Sequence, residues 1–204
     1  YLMKAGAFDN LPPLTKSDAL RILKTPVQEL ALSSDYYKAV FHLAKFHCSE
    51  TEIALLDLVQ SDSKETSVLL AKRKAIEVLA KMGCTRALDS ISGYLYSNDP
   101  YLVENAAWAL KRMNCQKKEV HQKISSLLKD SHQNRRVLIQ SLAGLRAVSQ
   151  LPQIKALQDD SSLPPGVRGA SIAAISKLSG QKEFLPILVE FLSLPNQNDR
   201  QCAV

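Results

Sequence analysis

Hydrophobic positions in this chain recur at i, i+3, i+4 and i+7, as Ile53, Leu56 and Val59 show, or Ile124, Leu127 and Leu128. Segments with this helical pattern also align with one another. SDYYKAVFHLAKF from 34, LAKRKAIEVLAKMG from 70, YLVENAAWALKRMN from 101, NRRVLIQSLAGL from 134, GVRGASIAAISKLSG from 166 and NDRQCAV from 198 share a reference position. It falls at Tyr36, Lys72, Val103, Arg135, Arg168 and Arg200, with a small or apolar residue three places on and, in the complete copies, an apolar pair six and seven places on. Successive reference positions differ by 36, 31, 32, 33 and 32 residues, which is a repeat period.

Shorter amphipathic stretches lie between these segments: ETEIALLDLVQ from 50, TRALDSISGYLYS from 85, EVHQKISSLLKD from 119, SQLPQIKALQDD from 149 and KEFLPILVEFL from 182. Each repeat is therefore predicted to be a helical hairpin, with second helices near 34–47, 66–83, 100–114, 132–147, 165–179 and 198–204. The punctuation agrees. Asn98-Asp99-Pro100 and Pro164-Pro165-Gly166 place proline where its missing N–H costs nothing, and Gly83 and Gly180 fit left-handed positions just past helix ends. Ahead of the repeats, AFDNLPPLT reads as an entry loop, with Thr15 or Ser17 as N-cap of a first helix.

Two helices per roughly 32 residues define an all-α superhelix of the HEAT/armadillo kind, because no hairpin can bury its apolar face alone. Residues 1–204 are expected to form a single solenoid domain of about five and a half hairpins. The sixth copy stops before its helix completes a period, and the first residue is Tyr1, so the chain is expected to be trimmed, with its C-terminal end cut.

Composition changes this picture little. The 31 leucines and 21 alanines supply the recurring interface, and only 7 glycines disfavour turn-rich β architectures. There is no stretch long enough for a membrane helix and no basic-then-apolar leader, so a cytoplasmic protein with no membrane partner is expected. The cysteines form no C-x-x-C pair and lie at no zinc-ligand spacing from histidine, and no metal site is expected. Cys48, Cys84 and Cys115 follow helical segments at comparable places and are expected to be small fillers at a repeated turn. Glycine-rich phosphate loops, G-x-S-x-G and H-E-x-x-H are missing. The net charge of +6 favours an anionic partner without naming one.

In stacked hairpins the second helices line the concave side, so their outward polar positions form a ladder. At the reference position stand Tyr36, Lys72, Val103, Arg135, Arg168 and Arg200, and one place on stand Tyr37, Arg73, Glu104, Arg136, Gly169 and Gln201. Five places on stand Phe41, Glu77, Trp108, Gln140 and Ala173. An arginine here either meets a ligand or bonds a neighbouring repeat, and the sequence leaves both readings open. Glu104 is expected to pair with Arg73 or Arg136, a state compatible with a further chemical role.

In this order, SSDYYKAVFHLAKF, AKRKAIEVLAKMGC, NDPYLVENAAWALKRM, NRRVLIQSLAGL, PGVRGASIAAISKL and LPNQNDRQCAV, with FDNLPPLT ahead of them, resemble the phycoerythrin-class members of the E/F-type phycobilin lyases. The resemblance implies a lyase that attaches phycoerythrobilin to a cysteine of a phycoerythrin subunit, or a lyase-isomerase that also converts it to phycourobilin. It makes the bilin a substrate, with no resident cofactor. Arg135, Arg168, Lys72 and Arg200 would then meet the propionates, Trp108, Tyr36, Tyr37 or Phe41 would stack on the rings, and Arg73, Arg136 and Gln140 would complete the bilin-binding set. Glu104, with Tyr36 and Tyr37 as donors, would move the proton that isomerisation requires. Rival readings are a HEAT-like DNA glycosylase, which would need a steeper field of exposed positive charge and makes nucleic acid a less fitting partner, and a non-catalytic HEAT scaffold.

Overall fold

The computed structural model describes residues 13–201. The N-terminal part of the entry loop, through Pro12, and Cys202, Ala203 and Val204 lie outside the described residues. Among the described residues every regular element is helical. They fall into two compact units, one ending at Ser90 and the other starting at Ile91.

The first unit contains α1 (Lys16–Lys24), α2 (Asp35–Leu43), α3 (Ser49–Gln60) and α4 (Thr66–Met82). Of the two N-cap candidates Thr15 takes the role, its side chain accepting from the Asp18 N–H at 3.1 Å. Within each hairpin α1 packs on α2 and α3 on α4, while like helices also meet, α1 on α3 and α2 on α4. That double set of contacts is what a solenoid requires.

A short helix, α5 (Leu88–Gly93), carries the chain across the unit boundary between 3₁₀ turns at Thr85–Ala87 and Tyr94–Tyr96. The second unit continues with α6 (Pro100–Arg112), α7 (Lys118–Leu127), α8 (Arg135–Gly144), α9 (Leu151–Gln158), α10 (Pro165–Ser179), α11 (Leu185–Leu192) and α12 (Gln197–Arg200). The second helices pack in series, α6 on α8, α8 on α10 and α10 on α12. Asp99 caps α6 by accepting from the Tyr101 N–H at 2.9 Å, with Pro100 at the first helical position.

Burial follows the repeat. Three places after the reference, Ala39, Ala75, Ala106, Leu138 and Ser171 are buried, and so is the pair at six and seven in each complete copy, from His42–Leu43 to Ala174–Ile175. The sixth position is polar twice: Ser141 satisfies itself by donating to the Val137 carbonyl at 2.8 Å, and His42 packs edge-on against Phe41.

Helix ends repeat as well. Gly83, Asn114 and Arg146 adopt left-handed φ of 71°, 52° and 55°. The next residue then donates back to the helix, Cys84 to Leu79, Cys115 to Leu110 and Ala147 to Leu142, each at 3.0 Å. These are Schellman closures, and Cys84, Cys115 and Ala147 are the buried small residues they require. Cys48 departs from the expectation: it is half-buried at the N-cap of α3. Gly180, at φ 72°, closes α10 with a single bond to Ser176 at 2.9 Å.

Candidate functional site

The reference position sits in the first turn of each second helix, where side chains lean back toward the helix N-terminus and over the loop that enters it. Its polar groups find that loop's carbonyls. Tyr36 donates through Oη to Thr25 O at 2.8 Å. The Lys72 ammonium, on a side chain only 3% exposed, donates to the carbonyls of Ser61 and, at 3.1 Å, of Ser63. Arg135 donates through Nε to Asp130 O at 3.4 Å, and Arg200 donates to Leu194 O and Pro195 O at 2.8 Å each. Val103 is fully buried. The recurring task of this row is to fasten the entry loop, which occupies Tyr36, Lys72 and Arg200 internally. Burial lowers the Lys72 pKa and raises that of Tyr36, with the Glu65 charge adding to the latter. Arg168 is the exception, since its buried Nε has no hydrogen-bond partner among the described residues.

The positions one and five places on are i, i+4 neighbours and share a face. Apart from buried Gly169, their side chains in the complete copies are half-buried, with one side toward solvent. In the first unit this row carries Tyr37, Phe41, Arg73 and Glu77. Glu77 accepts from Lys74 at 3.0 Å and Lys81 at 2.5 Å, and the Lys74 ammonium also lies 5.8 Å from the Phe41 ring centre. Burial opposes ionisation of Glu77, but those two lysines outweigh it and hold its pKa below the usual carboxylate value. Burial raises the Tyr37 pKa, and the Glu77 charge adds to it.

In the second unit the same row carries Glu104 and Trp108 on α6, Arg136 and Gln140 on α8, and Gly169 and Ala173 on α10. Among the described residues Glu104 forms no ion pair with Arg136, one of its two expected partners. Its Oε2 accepts from the Asn134 side-chain amide at 3.0 Å, while Asn134 Oδ1 caps α8 by accepting from the Val137 N–H at 3.3 Å. One asparagine therefore fixes both the start of α8 and the Glu104 carboxylate, a partnership hidden in the sequence because Asn134 reads only as a cap. Among the described residues no hydrogen bond or ion pair engages the side chains of Trp108, Arg136 or Gln140. The second unit thus presents an aromatic ring, an amide and an unneutralised guanidinium on adjacent helices, with Arg168 next along.

The ladder also continues one turn further than the sequence reading followed it. Lys111, Gly144 and Lys177 extend the rows of Glu104–Trp108, Arg136–Gln140 and Gly169–Ala173 at helical spacing. Continuing the same alignment by three or four residues would have found them. Among the described residues there is no cluster of His, Cys, Asp and Glu that could hold a metal, and no helix is long and apolar enough to cross a membrane.

The hairpins and the serial packing of like helices define an α-solenoid of the HEAT/armadillo class. Solved structures agree on the fold: the complex of CpcE and CpcF of phycocyanin lyase from Nostoc sp. PCC7120 is similar at a TM-score of 0.77 and 23% identity, covering 96% of this chain and 76% of that one. A designed armadillo repeat protein is similar at a TM-score of 0.54 and 18% identity, covering 93% and 97%. No family model matches the chain. Among curated proteins it is 38% identical over 172 residues to the bilin biosynthesis protein CpeY of Synechococcus sp. (strain WH8020), covering 84% of this chain and 41% of that protein. It is 31% identical over 191 residues to the uncharacterized phycocyanin operon protein Y of Pseudanabaena tenuis (strain PCC 7409), covering 94% and 45%. Through these relatives and this fold the chain is similar to the E/F-type family of HEAT-like phycobilin lyases. It spans less than half the length of either curated relative.

Proposed function

We propose that this chain acts in a bilin lyase, binding phycoerythrobilin on the α6–α8–α10 face of the second unit and presenting it to a cysteine of a phycoerythrin subunit. The observation that carries the reading is the unneutralised Arg136, with Arg168 beside it, on a face that also offers Trp108 and Gln140. A linear tetrapyrrole carries two propionates and an extended conjugated system, which suit guanidinium forks and an indole ring. Attachment is an addition. The acceptor sulfur bonds to the ethylidene carbon of the first ring, the thiol proton ends on the adjacent ring carbon, and no atom leaves. The chain supplies position and facial selectivity, for which none of its own cysteines is needed.

Glu104 is the acid–base group of this face, anchored through Oε2 with Oε1 left to a substrate proton. Conversion to phycourobilin would use it to remove and return a proton. Arg135 and Arg200 serve this face indirectly, through the loops they fasten.

The test is a visible-absorbance titration of the purified chain with free phycoerythrobilin, repeated with apo phycoerythrin subunit to look for colour that survives denaturation. A shifted, intensified band in the wild type, with Kd raised about tenfold by Arg136→Ala or Trp108→Ala, is the expected result. No spectral change at micromolar protein overturns the proposal, and salt-sensitive binding of duplex DNA in its place would assign the face to phosphates.

A further inference from the structure

The third tier of the α6–α8–α10 face has its own chemistry. Lys111 stands three residues after Trp108 and seven after Glu104, so it continues their face of α6. Its stem crosses the end of α8 at Gly144, where a Cβ would lie 2.6 Å from Lys111 Cγ and Cδ. A Cβ at Gly144 would force the lysine stem to move from this path. Beyond the notch, on α10, stands the exposed Lys177, near enough for its charge to act on Lys111.

Among the described residues neither lysine has a hydrogen bond or an ion pair. The other charged groups on this face are Glu104 on α6, Arg136 on α8 and Arg168 on α10, with Arg112 adjoining Lys111 at the end of α6. The one carboxylate, Glu104, is two turns away and already bonded to Asn134. Lys111 thus lies over the Gly144 backbone within Coulombic reach of Lys177, and among the described residues no carboxylate pairs with either lysine. Burial and then repulsion by Lys177 depress the Lys111 pKa, so the arrangement is unfavourable in the free protein and would be relieved by an anion.

We propose that Lys111, lying over Gly144, and Lys177 on the neighbouring helix form a second anion position that holds one carboxylate of the ligand bound on this face. The inference rests on the bilin-binding reading and deepens it. One propionate is taken at the Arg136 end and the other at the lysine end, about 12 Å apart along α8 at 1.5 Å per residue, a span shared by two propionate arms and two long cationic side chains. Trp108 and Gln140 lie on the tier between.

Citrate, a small polycarboxylate, probes the position without the chromophore. At matched ionic strength it should raise the melting temperature of the wild-type chain by about 3 °C, and Lys111→Met, Lys177→Met and Gly144→Ala should each lose most of that rise. Lys177 is exposed and its variant should fold as the wild type does. Lys111→Met, freed of a half-buried repelled charge, should melt slightly higher than wild type in the absence of citrate, the opposite of what a structural lysine would do. With phycoerythrobilin, each lysine variant should raise Kd about fivefold for the free diacid and leave the dimethyl ester unaffected. An unchanged citrate response in both lysine variants, or unchanged diacid affinity where the wild type binds, overturns the inference. A wild-type citrate response that the variants lose, with no bilin binding, overturns the lyase reading and leaves the anion position standing.

Discussion

Replacing Lys72 by methionine separates the two tasks open to the reference row. Methionine keeps the apolar stem and removes the ammonium that holds the Ser61 and Ser63 carbonyls. Charged hydrogen bonds contribute about 1.5–3 kcal/mol each, but burial of the ion offsets part of this, as the lowered Lys72 pKa shows. Ser61 is exposed and its carbonyl regains water, whereas Ser63 is half-buried and loses more. The net expected loss is about 1.5 kcal/mol, a fall in melting temperature of about 3–6 °C for a chain of this size. Urea unfolding followed by far-ultraviolet circular dichroism measures it. The pH profile gives a second reading: a lysine whose folded pKa lies below its unfolded value of 10.5 adds stability above 10.5 that is lost as pH falls through the folded pKa. The wild type should therefore gain relative stability across that alkaline window and the methionine variant should lack the gain. Unchanged stability together with a tenfold loss of phycoerythrobilin affinity would refute the argument, since the ammonium would then serve the ligand and not the loop.

Gly83→Ala should cost about 1 kcal/mol, because φ is 71° and nothing lies within 4 Å of the added Cβ, leaving only backbone strain; urea unfolding measures it. Arg146→Gly should stabilise by up to about 1 kcal/mol for the converse reason, since an arginine there occupies φ 55°; the same denaturation curves check the sign. Glu77, held ionised by Lys81 and Lys74, contributes stability that is present above its unfolded value near 4.5 and lost as pH falls through its lower folded value. Glu77→Gln should accordingly flatten the acid limb of a stability-versus-pH curve. Asn134→Ala should lower stability by about 1 kcal/mol through the lost α8 cap and should also release the Glu104 carboxylate, so a fall in the rate of any isomerase activity with bilin affinity unchanged is the signature beyond the cap itself.

Helix placement was legible because three independent signals coincided: the recurrence of 31 to 36 residues, proline or aspartate before second helices, and glycine after two of them. Helix α10, Pro165–Ser179, carries all three, and α4, Thr66–Met82, carries the recurrence and the closing glycine. Signals thinned where the left-handed closures fall on Asn114 and Arg146, whose side chains do not advertise positive φ as glycine does. The stretch from 85 read as one amphipathic helix but breaks into 3₁₀, α and 3₁₀ pieces, since burial of Ala87, Ile91 and Leu95 fixes the apolar side without fixing the hydrogen-bond pattern. The ladder positions were legible as a row; their tasks were not, because those depend on where each entry loop places its carbonyls, a tertiary property.

That dependence sharpens the functional reading. At the reference position the commonest cations, Lys72, Arg135 and Arg200, reach backward to loop carbonyls, so counting basic residues there overstates the charge offered to a ligand. One step round the helix the two units differ: in the first, Glu77 is neutralised by Lys74 and Lys81, while in the second Arg136 meets no carboxylate and Glu104 is held by a neutral amide. A carboxylate paired to lysines has little left for chemistry. One bonded to an asparagine has a fixed orientation and a second oxygen that no hydrogen bond engages among the described residues. The same register thus pairs the carboxylate of the first unit's face with lysines and, among the described residues, leaves Arg136 of the second unit's face without a carboxylate, the contrast on which the proposal of an anionic ligand rests.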